Sequence, residues 1–212
     1  MPRFFVLLVL LAACAIEHKP DADSARGDLT RPAAAAWTVR PDSVGPIPLG
    51  GSIAQAAVAL GDSIKADLSG PDGCVQVEVP SMPAGTSLMA LRDSTGIVRV
   101  ERVDIDTAGI LTAEGAGVGD AEPRVVERYR GHVSVQPHKY TGPVGHYVIV
   151  TSPLDTMFQI IFETDGRRVL NYRAGRRPAV EFVEGCSYLG LDPSATPALT
   201  RSAPTRRFGR GR

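Results

Sequence analysis

Two stretches of this chain carry one pattern, 69 residues apart. Ile53, Ala56, Ala57 and Leu60 recur at i, i+3, i+4 and i+7, the spacing of a single apolar helix face. Glu122, Val125, Val126 and Tyr129 take the same places 69 residues on, and Arg168 and Val169 stand at that distance from Arg99 and Val100. One offset relates a helix and a strand together, which chance likeness between two amphipathic segments would not require. It predicts a duplicated unit. The expected fold is α+β: two tandem repeats of a short helix followed by an antiparallel β-meander, with the helices packed on one face of the sheet. The repeats are expected over residues 37–105 and 106–186, with Leu111 to Ala116 inserted in the second.

Local signals fill in the units. In the first, Val44 to Gly51 is a stiff, turn-rich lead-in, Ser52 or Gly51 can cap the helix, and Gly61 ends it. Cys74 to Val79 alternates with period two until Pro80 and reads as a strand. Leu88 to Leu91 and Ile97 to Ile105 are the next two strands. The apolar phase of the third shifts near Arg102, as a bulge or a bend would cause. In the second unit Asp120 is the expected N-cap, Pro123 fits the first turn and Gly131 stops the helix. Strands are expected at Tyr147 to Thr151, Met157 to Glu163 and Arg168 to Arg173, with Asp165-Gly166 turning between the last two.

Ahead of the repeats stand one basic residue, Arg3, an apolar run from Phe4 to Leu11, and the small residues Ala12 and Ala13 before Cys14. A charge, an apolar core and small residues make a secretory signal over residues 1–13. The run is too short to span a bilayer, which takes about 20 residues. Leu11-Ala12-Ala13-Cys14 resembles the lipobox of bacterial lipoproteins. That resemblance implies cleavage before Cys14 and lipidation of its thiol. It also implies the outer membrane as destination, because Ala15 replaces the aspartate of inner-membrane retention. An exported protein facing the periplasm or the cell surface is expected. Residues 15–36 lack apolar periodicity and read as a tether that would reach roughly 25 Å. From Ser187 on, five arginines face a single acid, Asp192, in a segment read as a disordered, solvated tail. Over the whole chain 23 basic and 23 acidic residues balance, so no nucleic-acid partner is expected.

With Cys14 committed to lipid, two of the three cysteines remain, Cys74 and Cys186. In an oxidising compartment such a pair is expected to form a disulfide. Closing so long a loop stabilises by roughly 4 kcal/mol through chain entropy.

No catalytic constellation stands out. His132, His138 and His146 are close in sequence, but their spacing matches no helical ligand pair and His18 lies in the tether, so neither metal nor cofactor is expected. There is no Gly-x-Ser-x-Gly elbow, and Gly115, Gly117 and Gly119 read as turn residues. The aromatic content of the second unit points elsewhere. Tyr140, Tyr147 and Tyr172, with His138, would suit a partner surface if they lie on an exposed sheet face. The Gly-flanked lead-in, the helix ending in Leu60-Gly61 and the following meander resemble the tandem repeat of the β-lactamase-inhibitor-protein fold and the single repeat of SmpA/OmlA-type outer-membrane lipoproteins. The resemblance implies a concave antiparallel sheet used for protein binding, and transfers no catalytic residues. The expected function is therefore a non-enzymatic, lipid-anchored module that binds another cell-envelope protein. The alternative is small-ligand or metal binding, or hydrolysis, in a pocket between sheet and helices. An open sheet with exposed tyrosines favours the first, and a deep pocket where His138 or His146 meets a carboxylate favours the second.

Overall fold

The computed structural model describes residues 37–67 and 73–188. Cys14, the tether and the arginines of the tail lie outside them. The described chain opens on three two-residue strands, β1 (Val39–Arg40), β2 (Ser43–Val44) and β3 (Ile47–Pro48), which form a small antiparallel sheet. Helix α1 (Ile53–Leu60) follows, then β4 (Cys74–Val77), β5 (Thr86–Arg92) and β6 (Val98–Ile105). The second half holds α2 (Glu122–Arg128), β7 (Val133–Pro137), β8 (His146–Thr151), β9 (Phe158–Thr164) and β10 (Val169–Arg176). Seven of these strands make one antiparallel sheet in the order β4-β5-β6-β10-β9-β8-β7. The last strand of each half, β6 and β10, therefore meet in its interior, with Tyr172 opposite Ile105. The α+β class with an antiparallel sheet is as expected.

The helices start differently. Ser52 closes a capping box on α1: its hydroxyl accepts from Gln55 N–H, and the Gln55 side chain accepts from Ser52 N–H. This satisfies two of the amide groups a helix start leaves open. Gly61, at φ +63°, ends the helix in the left-handed conformation that suits glycine. The N-cap of α2 is Ala121, without a side-chain hydrogen bond. Asp120 does not cap it, because its carboxylate accepts from Gly117 N–H at 3.0 Å instead. Pro123 does sit in the first turn.

The expected bulge is present. Ala90 pairs with Val100 and Met89 with Arg102, so Glu101 is the extra residue. The lead-in, expected only as turns, pairs as the small sheet β1 to β3, and two further features were not legible. β7 is an edge strand, exposed from Ser134 to Pro137; with a single neighbour it needs neither strict alternation nor an amide at Pro137. β10 runs on to Arg176, past the expected Arg173, because Ala174-Gly175 hides the alternation.

One face of the large sheet carries the main core. Leu88, Ile105, Ile160, Phe162 and Tyr172 are fully or almost fully buried there, together with Ala56 of α1 and Val125 of α2. Each such large side chain contributes about 1.5–3 kcal/mol by burial. The single tryptophan, Trp37, is buried and lies so close to Gly45 that a Cβ there would sit 2.8 Å from its ring. Lead-in and sheet are joined alike in both halves. Gly50 N–H donates to Val100 O and Val100 N–H to Gly51 O, at 2.6 and 2.9 Å. In the other half Gly119 N–H donates to Val169 O and Val169 N–H to Asp120 O, both at 2.9 Å. Arg99 donates to Gly50 O at 3.1 Å, and Arg168 to Gly119 O at 2.8 Å.

Candidate functional site

The opposite face of the sheet is polar where it is central. Strand alternation puts Arg102 and Asp104 of β6, Glu163 of β9 and Arg173 of β10 on it. Ser87 and Gln76 continue it toward the β4 edge, and Tyr147 and Ile149 of β8 toward the other. Two arginines are buried here, Arg102 at 5% and Arg173 at 3% exposure. Burying such charges is costly unless each is paired. Arg102 forks onto Asp104, with Nε 2.8 Å and Nη2 2.5 Å from Oδ1. Arg173 pairs with Glu163. Burial alone would raise the Glu163 carboxyl above its usual range, but the Arg173 guanidinium outweighs it and holds the group below that range.

Each arginine has a further partner in the chain that follows β10. After β10 the chain turns back, and residues 177–188 lie across this face as a strap. It contains two 3-10 turns, Ala179–Glu181 and Gly185–Tyr188. The first rests on β6, β9 and β10, the second on β4. Arg173 Nε donates to Val180 O at 2.7 Å, and Arg102 Nη1 to Phe182 O at 2.5 Å. The Val180 side chain is fully buried against Tyr147 and Ile161. The end of the strap is bonded to the edge strand through Cys74–Cys186, as expected from the sequence.

One end of the strap meets the β7–β8 connection. Lys139 Nζ is 3.0 Å from Glu184, and the Tyr140 hydroxyl donates to the same carboxylate. Those contacts, Tyr140 first, hold the Glu184 carboxyl below its usual range. His138 lies beneath, its ring centroid 4.5 Å from that of Tyr147. The main-chain N–H groups of Tyr140 and Thr141 donate to His138 Nδ1. The ring proton is therefore on Nε2, which faces Glu163 at 3.5 Å.

The four residues named for a partner surface are thus placed unequally. Tyr172 is 1% exposed, on the helix-covered face, with its hydroxyl donating to Ile110 O at 2.9 Å. Tyr147 is buried under the strap, beneath the Arg173 guanidinium. Neither side chain can meet a partner in this arrangement, because strand alternation fixes a face and the chain itself covers both faces. Tyr140 is 62% exposed and remains accessible, with Lys139 over its ring. His138 is mostly covered.

Both histidines of interest do meet a carboxylate. His146 Nδ1 is 3.0 Å from each Glu122 oxygen, and the Thr164 hydroxyl donates to Glu122 as well. Glu122 lies in the first turn of α2, so this cluster ties the helix start to β8 and β9. Among the described residues no three His, Cys, Asp or Glu side chains converge as a metal site would need. No described helix is long and apolar enough to cross a membrane. Sequence reasoning missed Arg102, Asp104, Glu163 and Arg173. The signal that could have found them was the cysteine pair, since a bridge from the far edge strand to a residue after β10 forces the chain back across the sheet. No protein family, no curated protein and no solved structure matches the chain.

Proposed function

We propose that this is a lipid-anchored cell-envelope protein that acts as a non-enzymatic protein-binding module. The observation that carries the binding role is the strapped face: two buried arginines offer donors to main-chain carbonyls, and an apolar slot walled by Tyr147 and Ile161 accepts Val180. This is chemistry for holding a segment of polypeptide, with Tyr140 as its exposed aromatic rim. The anchor rests on Leu11 to Cys14. Crosslinking in native membranes with wild type and Tyr140→Ala tests the role. A stoichiometric envelope protein captured by the wild type and lost in the variant is expected. Repeated capture of nothing overturns the reading. Mass spectrometry of the mature N-terminus tests the anchor, and an unmodified Cys14 removes it.

The two halves are further proposed to be copies of one helix-plus-meander unit, in keeping with the likeness to the β-lactamase-inhibitor-protein fold. The hydrogen bonds shared at the 69-residue offset support this. Amide exchange at Val100 and Val169 should then be matched, and widely different protection would speak against equivalence.

A further inference from the structure

We propose that residues 177–188 are a latched occupant of the binding face, and that reduction of Cys74–Cys186 by a dithiol opens it to a polypeptide segment of the same chemistry. This deepens the binding-module reading and rests on it.

The strap is held as a ligand would be. Its two deepest contacts are main-chain carbonyls, Val180 O on Arg173 and Phe182 O on Arg102. Its one fully buried branched side chain is Val180. Its acid, Glu184, meets Lys139 and Tyr140 on the rim. The same acceptors for two arginines would come from another chain that takes up the strap's turn, with a β-branched residue at the place of Val180 and an acid four places on. Beneath the strap the sheet has its own partners: Arg102 keeps Asp104 and Arg173 keeps Glu163. Lifting the strap thus leaves no arginine without a counter-ion, and the face can stand open while the sheet stays folded.

The bridge sits where a latch belongs, at the far end of the strap on edge strand β4, with both cysteines half-buried. Opening follows thiol–disulfide exchange. A thiolate of the dithiol attacks one sulfur, the Cys74–Cys186 bond breaks and a mixed disulfide forms. The second thiol of the reductant then displaces the protein sulfur. Two electrons and two protons end on Cys74 and Cys186, and the dithiol leaves as a disulfide.

Two measurements test this on the full chain. Hydrogen exchange is read on oxidised protein and on protein reduced with dithiothreitol. Amides of Glu181, Phe182, Gly185 and Ser187 should lose their protection on reduction, while amides of β9 and β10 stay at least about a hundredfold slower. Unchanged strap protection, or strap and sheet exchanging together, overturns the latch. In the second, Cys186→Ser frees Cys74 and the strap end. A peptide of residues 178–186, its cysteine carried as a mixed disulfide with thionitrobenzoate, should then exchange onto the Cys74 thiolate and release thionitrobenzoate at least about tenfold faster than its scrambled sequence, because docking raises effective concentration. Equal rates overturn the receiving face. Neither result depends on the Tyr140→Ala crosslinking, so the latch and the partner reading can fail separately.

Discussion

At the scale of the residue, the strapped face turns on charges that are paired before they are buried. Glu163 is the centre: Arg173, His138 and Asn171 all reach its carboxylate. Glu163→Gln should cost about 2–3 kcal/mol, because it leaves the buried Arg173 charge with a neutral partner; urea unfolding measures it. The folded carboxyl lies below its unfolded value. Its stabilising contribution is therefore present above the unfolded pKa, about 4.3, and is lost as the pH falls through the lower folded value. Wild type should lose stability on acidification in that window, and the variant should lose less. An equal loss in both would show that other carboxylates dominate. Tyr147 and Tyr172 carry a related lesson. Both rings are buried, and that burial raises the phenol pKa of each.

At the scale of the element, the two helices are built to different standards. α1 is eight residues with a complete capping box, whereas α2 begins at Ala121 with no side-chain cap. Short helices depend on such terminal contacts and on packing. Ala121→Asp should therefore stabilise the protein by about 0.5–1 kcal/mol by supplying the missing acceptor, and Ser52→Ala should destabilise it by about 1 kcal/mol. Thermal unfolding of the two variants should shift in opposite directions. A loss in Ala121→Asp would mean that Glu122, already engaged with His146 and Thr164, does not tolerate a second acid beside it.

At the scale of the whole molecule, the halves share one core. β6 and β10 are hydrogen-bonded neighbours, Val39 N–H donates to Leu111 O across the halves, and residues of both enter the main apolar cluster. Urea unfolding followed by Trp37 fluorescence, which reports the first half, should coincide with unfolding followed by circular dichroism. Two separated transitions would mean that the halves fold alone. Much of this was legible from the chain. Ile53 to Leu60, the bulge near Arg102 and the strands around Asp165-Gly166 follow from local period and turn chemistry. The pairing of Cys74 with Cys186 follows from counting thiols once an oxidising compartment is expected. The strapped face was not legible, although its residues were in view. Asp104 and Arg173 alternate with apolar neighbours as solvent-facing strand positions do, Arg102 follows the charged Glu101, and Tyr147 and Tyr172 are both tyrosines on strands. The sequence by itself therefore determined the two helices, six strands of the large sheet, their antiparallel character and the disulfide, because hydrophobic period, turn residues and thiol chemistry act over short range or by composition. Only the tertiary structure decided that β10 lies inside the sheet while Cys74 lies on its edge. That strand order makes the returning chain cross the sheet, and the crossing turns a row of ordinary surface charges into a buried, ligand-like contact.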